Sequence, residues 1–62
     1  MIDRKKNVLL YATIKNGNIY EIFRNEEEFY LLSVNGQFIK KCKSKNDMYN
    51  FIRVNYKENL IF

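Results

Sequence analysis

Histidine, proline and tryptophan are all missing from this 62-residue chain, which has one cysteine and two glycines. Each shortage removes a class of answer. Without histidine the commonest zinc and copper ligand is gone, and so is the side chain that usually titrates near neutral pH in general acid–base catalysis. Cys42 alone cannot close an intrachain disulfide, and one unpaired thiol suits a reducing compartment, so a cytoplasmic location is expected. No apolar run approaches the roughly 18 residues that a membrane-crossing helix needs. The basic start Arg4-Lys5-Lys6 leads only into a short apolar run over residues 8–12, so neither a membrane partner nor a signal peptide is expected. A glycine-rich phosphate loop, a Gly-x-Ser-x-Gly elbow and a Cys-x-x-Cys pair are also lacking.

The groups that remain make poor catalysts. The carboxylates are Asp3, Glu21, Glu26, Glu27, Glu28, Asp47 and Glu58, and the one cluster, Glu26-Glu27-Glu28, reads as a solvated connector because it lacks the spacing and glycine of a calcium loop. Cys42 lies between Lys41 and Lys43, and neighbouring ammonium groups can activate a thiol. The competing reading makes it a small packed side chain opposite Phe29. The expectation is therefore a protein with no catalytic residue, no cofactor and no metal.

What is present points to a folded binding module. A chain of this length holds a single core, so residues 1–62 form one small domain. The composition, 47% hydrophobic and 29% charged, is that of a folded chain, and the five Tyr and five Phe must be placed somewhere. A net charge of +4 favours acidic partners such as nucleic acid or an acidic protein face.

Both glycines follow asparagine, at Asn16-Gly17 and Asn35-Gly36, and each pair joins two apolar-rich runs. Asn-Gly is the strongest short hairpin signal, because both central residues of a type I′ turn take positive φ. Residues 8–43 therefore read as two β-hairpins connected through residues 24–28. For the first, a three-residue loop over Asn16, Gly17 and Asn18 places Val8, Leu10, Ala12, Ile14, Tyr20 and Ile22 on one face, and Tyr11, Thr13, Lys15, Ile19, Glu21 and Phe23 on the other. A two-residue turn would set Glu21 beside Ala12 on the apolar face, which is costly if that face is buried. In the second hairpin a two-residue turn groups Tyr30, Leu32, Val34, Gln37, Ile39 and Lys41 against Phe29, Leu31, Ser33, Phe38, Lys40 and Cys42.

The last third changes period. Ser44 is a suitable N-cap with Asp47 three residues on, and Met48, Ile52 and Tyr56 recur at helical spacing, flanked by Tyr49 and Phe51. A helix over 44–59 is expected, with Leu60, Ile61 and Phe62 left to pack under the sheet, to add an edge strand, or to stay exposed. The fold class is α+β: a four-stranded antiparallel sheet of two hairpins followed by one C-terminal helix packed on one face.

Two constellations suggest binding. Lys40, Lys41, Lys43 and Lys45 crowd the fourth strand and the start of the helix, while residues 1–6 supply a basic arm with Arg4, Lys5 and Lys6. Such density suits phosphate contacts, although lysines on an edge strand also block edge-to-edge aggregation. One helix covers one face of the sheet, and the face left over carries Tyr11, Ile19, Phe23, Phe29, Leu31 and Phe38. Bases stack on such a face, another protein covers it, or a second copy does so in a homodimer.

The stretch Tyr30-Leu31-Leu32-Ser33-Val34-Asn35-Gly36-Gln37-Phe38-Ile39-Lys40-Lys41, followed by Lys43-Ser44-Lys45-Asn46-Asp47-Met48-Tyr49-Asn50-Phe51-Ile52, resembles the strand, turn, strand and helix rhythm of arm-type, AP2-like DNA-binding domains of tyrosine integrases. The resemblance covers under half the chain. It implies a sheet that enters the major groove with the helix behind it, and so puts Gln37, Lys40 and Lys43 near DNA. That family generally has three strands where four are expected here, and this sheet lacks the arginine-rich face of a base reader. Two functions are carried forward: contact with nucleic acid or a nucleoprotein through a lysine-rich sheet with exposed aromatics, or a small phage or mobile-element inhibitor, of anti-defence or anti-CRISPR type, that blocks a host protein.

Overall fold

The computed structural model describes residues 7–62, so Arg4, Lys5 and Lys6 of the expected basic arm lie outside the described residues. The elements run β1 (Val8–Lys15), β2 (Asn18–Arg24), β3 (Tyr30–Val34), β4 (Gln37–Cys42) and α1 (Lys45–Tyr56). The strands form one antiparallel sheet in the order β1-β2-β3-β4, the α+β arrangement that the two Asn-Gly pairs and the change of period imply. Both turns have positive φ at both central residues: 51° and 80° at Asn16 and Gly17, 54° and 87° at Asn35 and Gly36. That is the type I′ geometry, whose twist matches that of the flanking strands.

The first hairpin departs from the expected register. Lys15 pairs with Asn18 across a two-residue turn, so no three-residue loop forms, and Leu10 is an extra residue in a bulge between Leu9 and Tyr11. Tyr11 and Thr13 consequently share the helix-side face with Tyr20 and Ile22, whereas Ala12 and Ile14 join Ile19 and Glu21 on the other. Glu21 does lie opposite Ala12. The arrangement costs little because this pair sits on the uncovered face, where Glu21 stays partly exposed.

A second bulge alters the other hairpin. The register slips between Leu32 and Ser33, with Ser33 opposite Phe38 but Leu32 opposite Lys40, which leaves Ile39 as the extra residue. Beyond it Cys42 pairs with Tyr30, not Phe29, and Lys41 pairs with Leu31. Lys40 and Cys42 thus move to the helix side, and Lys41 moves to the open side.

Ser44 caps α1 with extended backbone, its Oγ accepting from the Asp47 N–H at 3.1 Å. Met48 and Ile52 are fully buried and pack with Tyr20, Ile22 and Leu32, with Tyr30, Val34, Cys42 and Leu60 completing the core. The helix lies over β3 and β4. It ends at Tyr56, short of the expected residue 59, because Lys57 turns left-handed at φ 59° while its N–H still bonds Arg53 O at 3.1 Å. The chain reverses there and covers β1 and β2: Asn16 donates to the Glu58 carboxylate, Lys15 Nζ donates to Asn59 O at 3.5 Å, and Leu60 is buried. Phe62 closes this layer against Tyr49, Tyr30 and Tyr11, at ring separations of 4.9, 6.0 and 6.3 Å. Of the three fates open to the C-terminal residues, packing on the sheet is the one adopted, with Ile61 alone facing outward.

Candidate nucleic-acid and partner interface

The connection between β2 and β3 positions the first aromatic of the site. Asn25 Oδ1 accepts from Glu27 N and Phe29 N at 3.0 and 2.9 Å, and Asn25 and Phe29 also exchange a backbone bond at 3.1 Å. An asparagine closing its own turn in this way holds Phe29 beside the end of β4. Arg24 braces the same loop, bonding the Tyr30 hydroxyl at 3.0 Å and Glu28 at 3.7 Å while stacking over the Tyr30 ring.

The lysines meet rings rather than acids. Lys41 Nζ lies 4.4 Å and Lys43 Nζ 5.7 Å from the Phe29 centroid, so one phenyl ring carries two ammonium groups. Lys40, on the helix side of β4, reaches the Phe51 ring at 5.2 Å, and Lys45 reaches Phe62 at 5.9 Å. Cation–π contacts of this exposed kind are worth about 0.5–1 kcal/mol each. They orient the stems and leave the charges solvated. Among the described residues, none of these four lysines is ion-paired to a carboxylate.

Between β4 and α1 the surface opens into a groove of about 620 Å³, lined among others by Phe29, Lys40, Lys41, Lys43, Phe51 and Val54. Asp47 and Asn50 add polar groups to its helix wall. Cys42 also reaches it, but burial pushes its thiol up, Lys40 opposing and Asp47 reinforcing the rise, so the thiol stays protonated at neutral pH. Among the described residues no group of three or more Asp, Glu and Cys side chains is placed to hold a metal.

The sheet face opposite α1 forms the second surface. Phe23 and Phe38 meet edge to face at 5.6 Å, and Phe38, Ile14 and Ile19 are exposed beside them. Leu31 and Ser33 lie between, with Glu21 placed opposite Ser33. Tyr11, expected on this face, packs instead on Phe62 under the C-terminal residues, because the two-residue turn that sets Lys15 opposite Asn18 puts Tyr11 and Thr13 on the helix side.

The structure therefore brings Phe29, Lys40, Lys41 and Lys43 together, sets Lys45 apart over Phe62, and keeps Phe23 and Phe38 on the adjoining face. Gln37 sits at the far, turn end of β4, opposite Val34, and does not join the lysines. Two contributors are not visible as site residues in the sequence. Phe51 reads there only as a flank of the apolar stripe, and Val54, three residues on, follows it along the same wall of the groove. Comparison with protein-family models, with curated proteins and with solved structures finds no match to this chain.

Proposed function

We propose that this chain is a non-catalytic cytoplasmic binding module that contacts nucleic acid, alone or within a nucleoprotein, along the β4 border. The observation that carries the reading is the set of Lys40, Lys41 and Lys43 lining an open groove, with Lys45 nearby over Phe62: four ammonium groups steadied by phenyl rings and, among the described residues, not ion-paired to carboxylates. Phosphate contacts need cationic donors of this kind and carry no sequence information by themselves. Because the lysines alternate across the edge strand, Lys40 toward the helix and Lys41 toward the open face, a backbone lying along β4 meets charge on both sides. Phe29 and Phe38 offer rings near that path on which unpaired bases stack. The resemblance to AP2-like domains supports the same partner by a different route, through the open sheet face.

A second reading rests on a different observation. The exposed apolar group of Ile14, Ile19 and Phe38 is suited to a protein surface, as in a small phage or mobile-element inhibitor of a host protein. Capture from host lysate with and without nuclease separates the two. The nucleic-acid reading predicts that the retained material is nuclease-sensitive and that purified protein shifts labelled DNA or RNA; a partner retained after nuclease, with no shift, supports the inhibitor.

A further inference from the structure

The two borders of the sheet are built on opposite plans. On β4, Lys40 and Lys41 and the bulge at Ile39 do what edge strands do to discourage pairing with another strand. β1 has eight residues with the sequence VLLYATIK, and its one charged residue, Lys15, is the last. Its bulge, at Leu10, lies toward the other end and leaves Tyr11 to Lys15 in regular register. A border of this kind is an open template for another strand.

The register fixes which groups that template offers. In a two-residue hairpin the closing pair, here Lys15 and Asn18, is hydrogen-bonded, and pairs alternate from there. Thr13 and Tyr11 consequently bond β2, while Ala12 and Ile14 direct their N–H and C=O groups away from the sheet.

We propose that β1 pairs antiparallel with β1 of a second copy of this chain about a two-fold axis at Ala12, joining two sheets into one of eight strands. Ala12 exchanges both backbone bonds with Ala12 of the second copy, and Tyr11 stands opposite Thr13 of the second copy. The side chain on the axis is small and exposed, and among the described residues no strand pairs with this edge. Each Lys15 falls three residues from the axis, on opposite sides, which separates the two charges by about 20 Å at the usual strand rise. An antiparallel self-pair gives this strand a partner of the same length and keeps its one charged residue, Lys15, away from the Lys15 of the second copy. The lysine-guarded β4 strands then form both outer borders, so the assembly closes as a dimer and does not grow into a filament. The open faces bearing Ile14, Ile19 and Phe38 become continuous across the axis.

Sedimentation equilibrium of the full chain at about 0.1 mM tests this, a concentration at which even a weak specific dimer is substantially formed. The expected mass is twice 7.6 kDa. Ala12→Pro removes only the outward N–H and leaves the β1–β2 ladder intact, so it should give a folded monomer. Ala12→Cys in a Cys42→Ser background should cross-link rapidly under mild oxidation, since hydrogen-bonded antiparallel partners sit about 5.5 Å apart at Cα, within disulfide reach. A monomeric wild type, or a dimer unchanged by Ala12→Pro, overturns the proposal. Should Ala12→Pro fail to fold, the cysteine variant decides: a cross-linked dimer supports the pairing, and an uncross-linked product overturns it.

Discussion

Asn35 and Ile19 bond each other twice: the Asn35 N–H donates to Ile19 O at 2.8 Å, and the Ile19 N–H donates to Asn35 Oδ1 at 2.9 Å. The side chain thereby replaces a missing strand residue and carries the β2–β3 ladder one step beyond Val34. Its Nδ2 also donates to Asn18 Oδ1 at 3.0 Å, so one turn residue links the two hairpins. An asparagine chosen only for positive φ would do none of this.

Asn35 should therefore resist replacement even by glycine. Asn35→Gly keeps the turn geometry and the backbone bond to Ile19 O but loses the two side-chain bonds, to Ile19 N and Asn18 Oδ1, which predicts destabilisation of about 0.5–1.5 kcal/mol. Asn35→Ala adds the left-handed backbone cost of roughly 1–2 kcal/mol. Urea denaturation of both variants checks the order, and an Asn35→Gly protein as stable as wild type contradicts it.

The C-terminal residues are structural. Leu60→Ala empties a buried site between helix and sheet and should cost about 2–5 kcal/mol, a large part of the stability of so small a domain. Ile61→Ala, at 80% exposure, should change it by less than about 0.5 kcal/mol. Thermal melts of the pair separate a packed end from a trailing one.

Burial of Cys42 makes stability depend on pH in the alkaline range. Its folded pKa is raised, so both states are protonated below the ordinary thiol range and pH has no effect through this group. As pH climbs past that range the unfolded chain ionises first, and the stability contributed by the buried neutral thiol is lost as pH rises through the folded value. Cys42→Ser should flatten this alkaline fall relative to wild type and leave nucleic-acid binding at neutral pH unchanged. A Cys42→Ser protein that folds but no longer binds would mark the thiol as functional.

The positions of the turns, the helix start and the order of elements are legible in the sequence, because Asn-Gly, Ser44 and the Met48, Ile52, Tyr56 spacing are local signals with local causes; the length of the first turn, two residues in place of the expected three, is not. The faces of β1 and β4 are not. A bulge adds one residue without disturbing the composition of a strand, so Leu10 and Ile39 look like any other apolar position, yet each turns over every side chain on one side of it. Lys40, Lys41 and Cys42 change face for that reason, whereas Tyr11 changes face because the first turn has two residues and not three. The clustering of the lysines survives the slip, since residues adjacent along one edge strand stay neighbours on either face. Only the resemblance puts Gln37 near them, and distance along β4 separates it.

Aromatic side chains on the open face should contribute differently from the lysines. Phe38→Ala is expected to weaken single-stranded binding by about 1–3 kcal/mol if a base stacks on that ring, with little change in salt dependence. Equal losses for single- and double-stranded ligands would argue against stacking.

The central claim, that the β4 lysines bind phosphates, is tested most directly by the slope of log affinity against log salt. Replacing Lys40, Lys41 and Lys43 together by Ala should weaken binding to all sequences alike and flatten the slope by about 0.9 for each duplex phosphate that the variant no longer neutralises. Wild-type protein whose binding is absent, or does not weaken with salt, or whose slope is untouched by the triple replacement in a still-folded chain, would contradict the account.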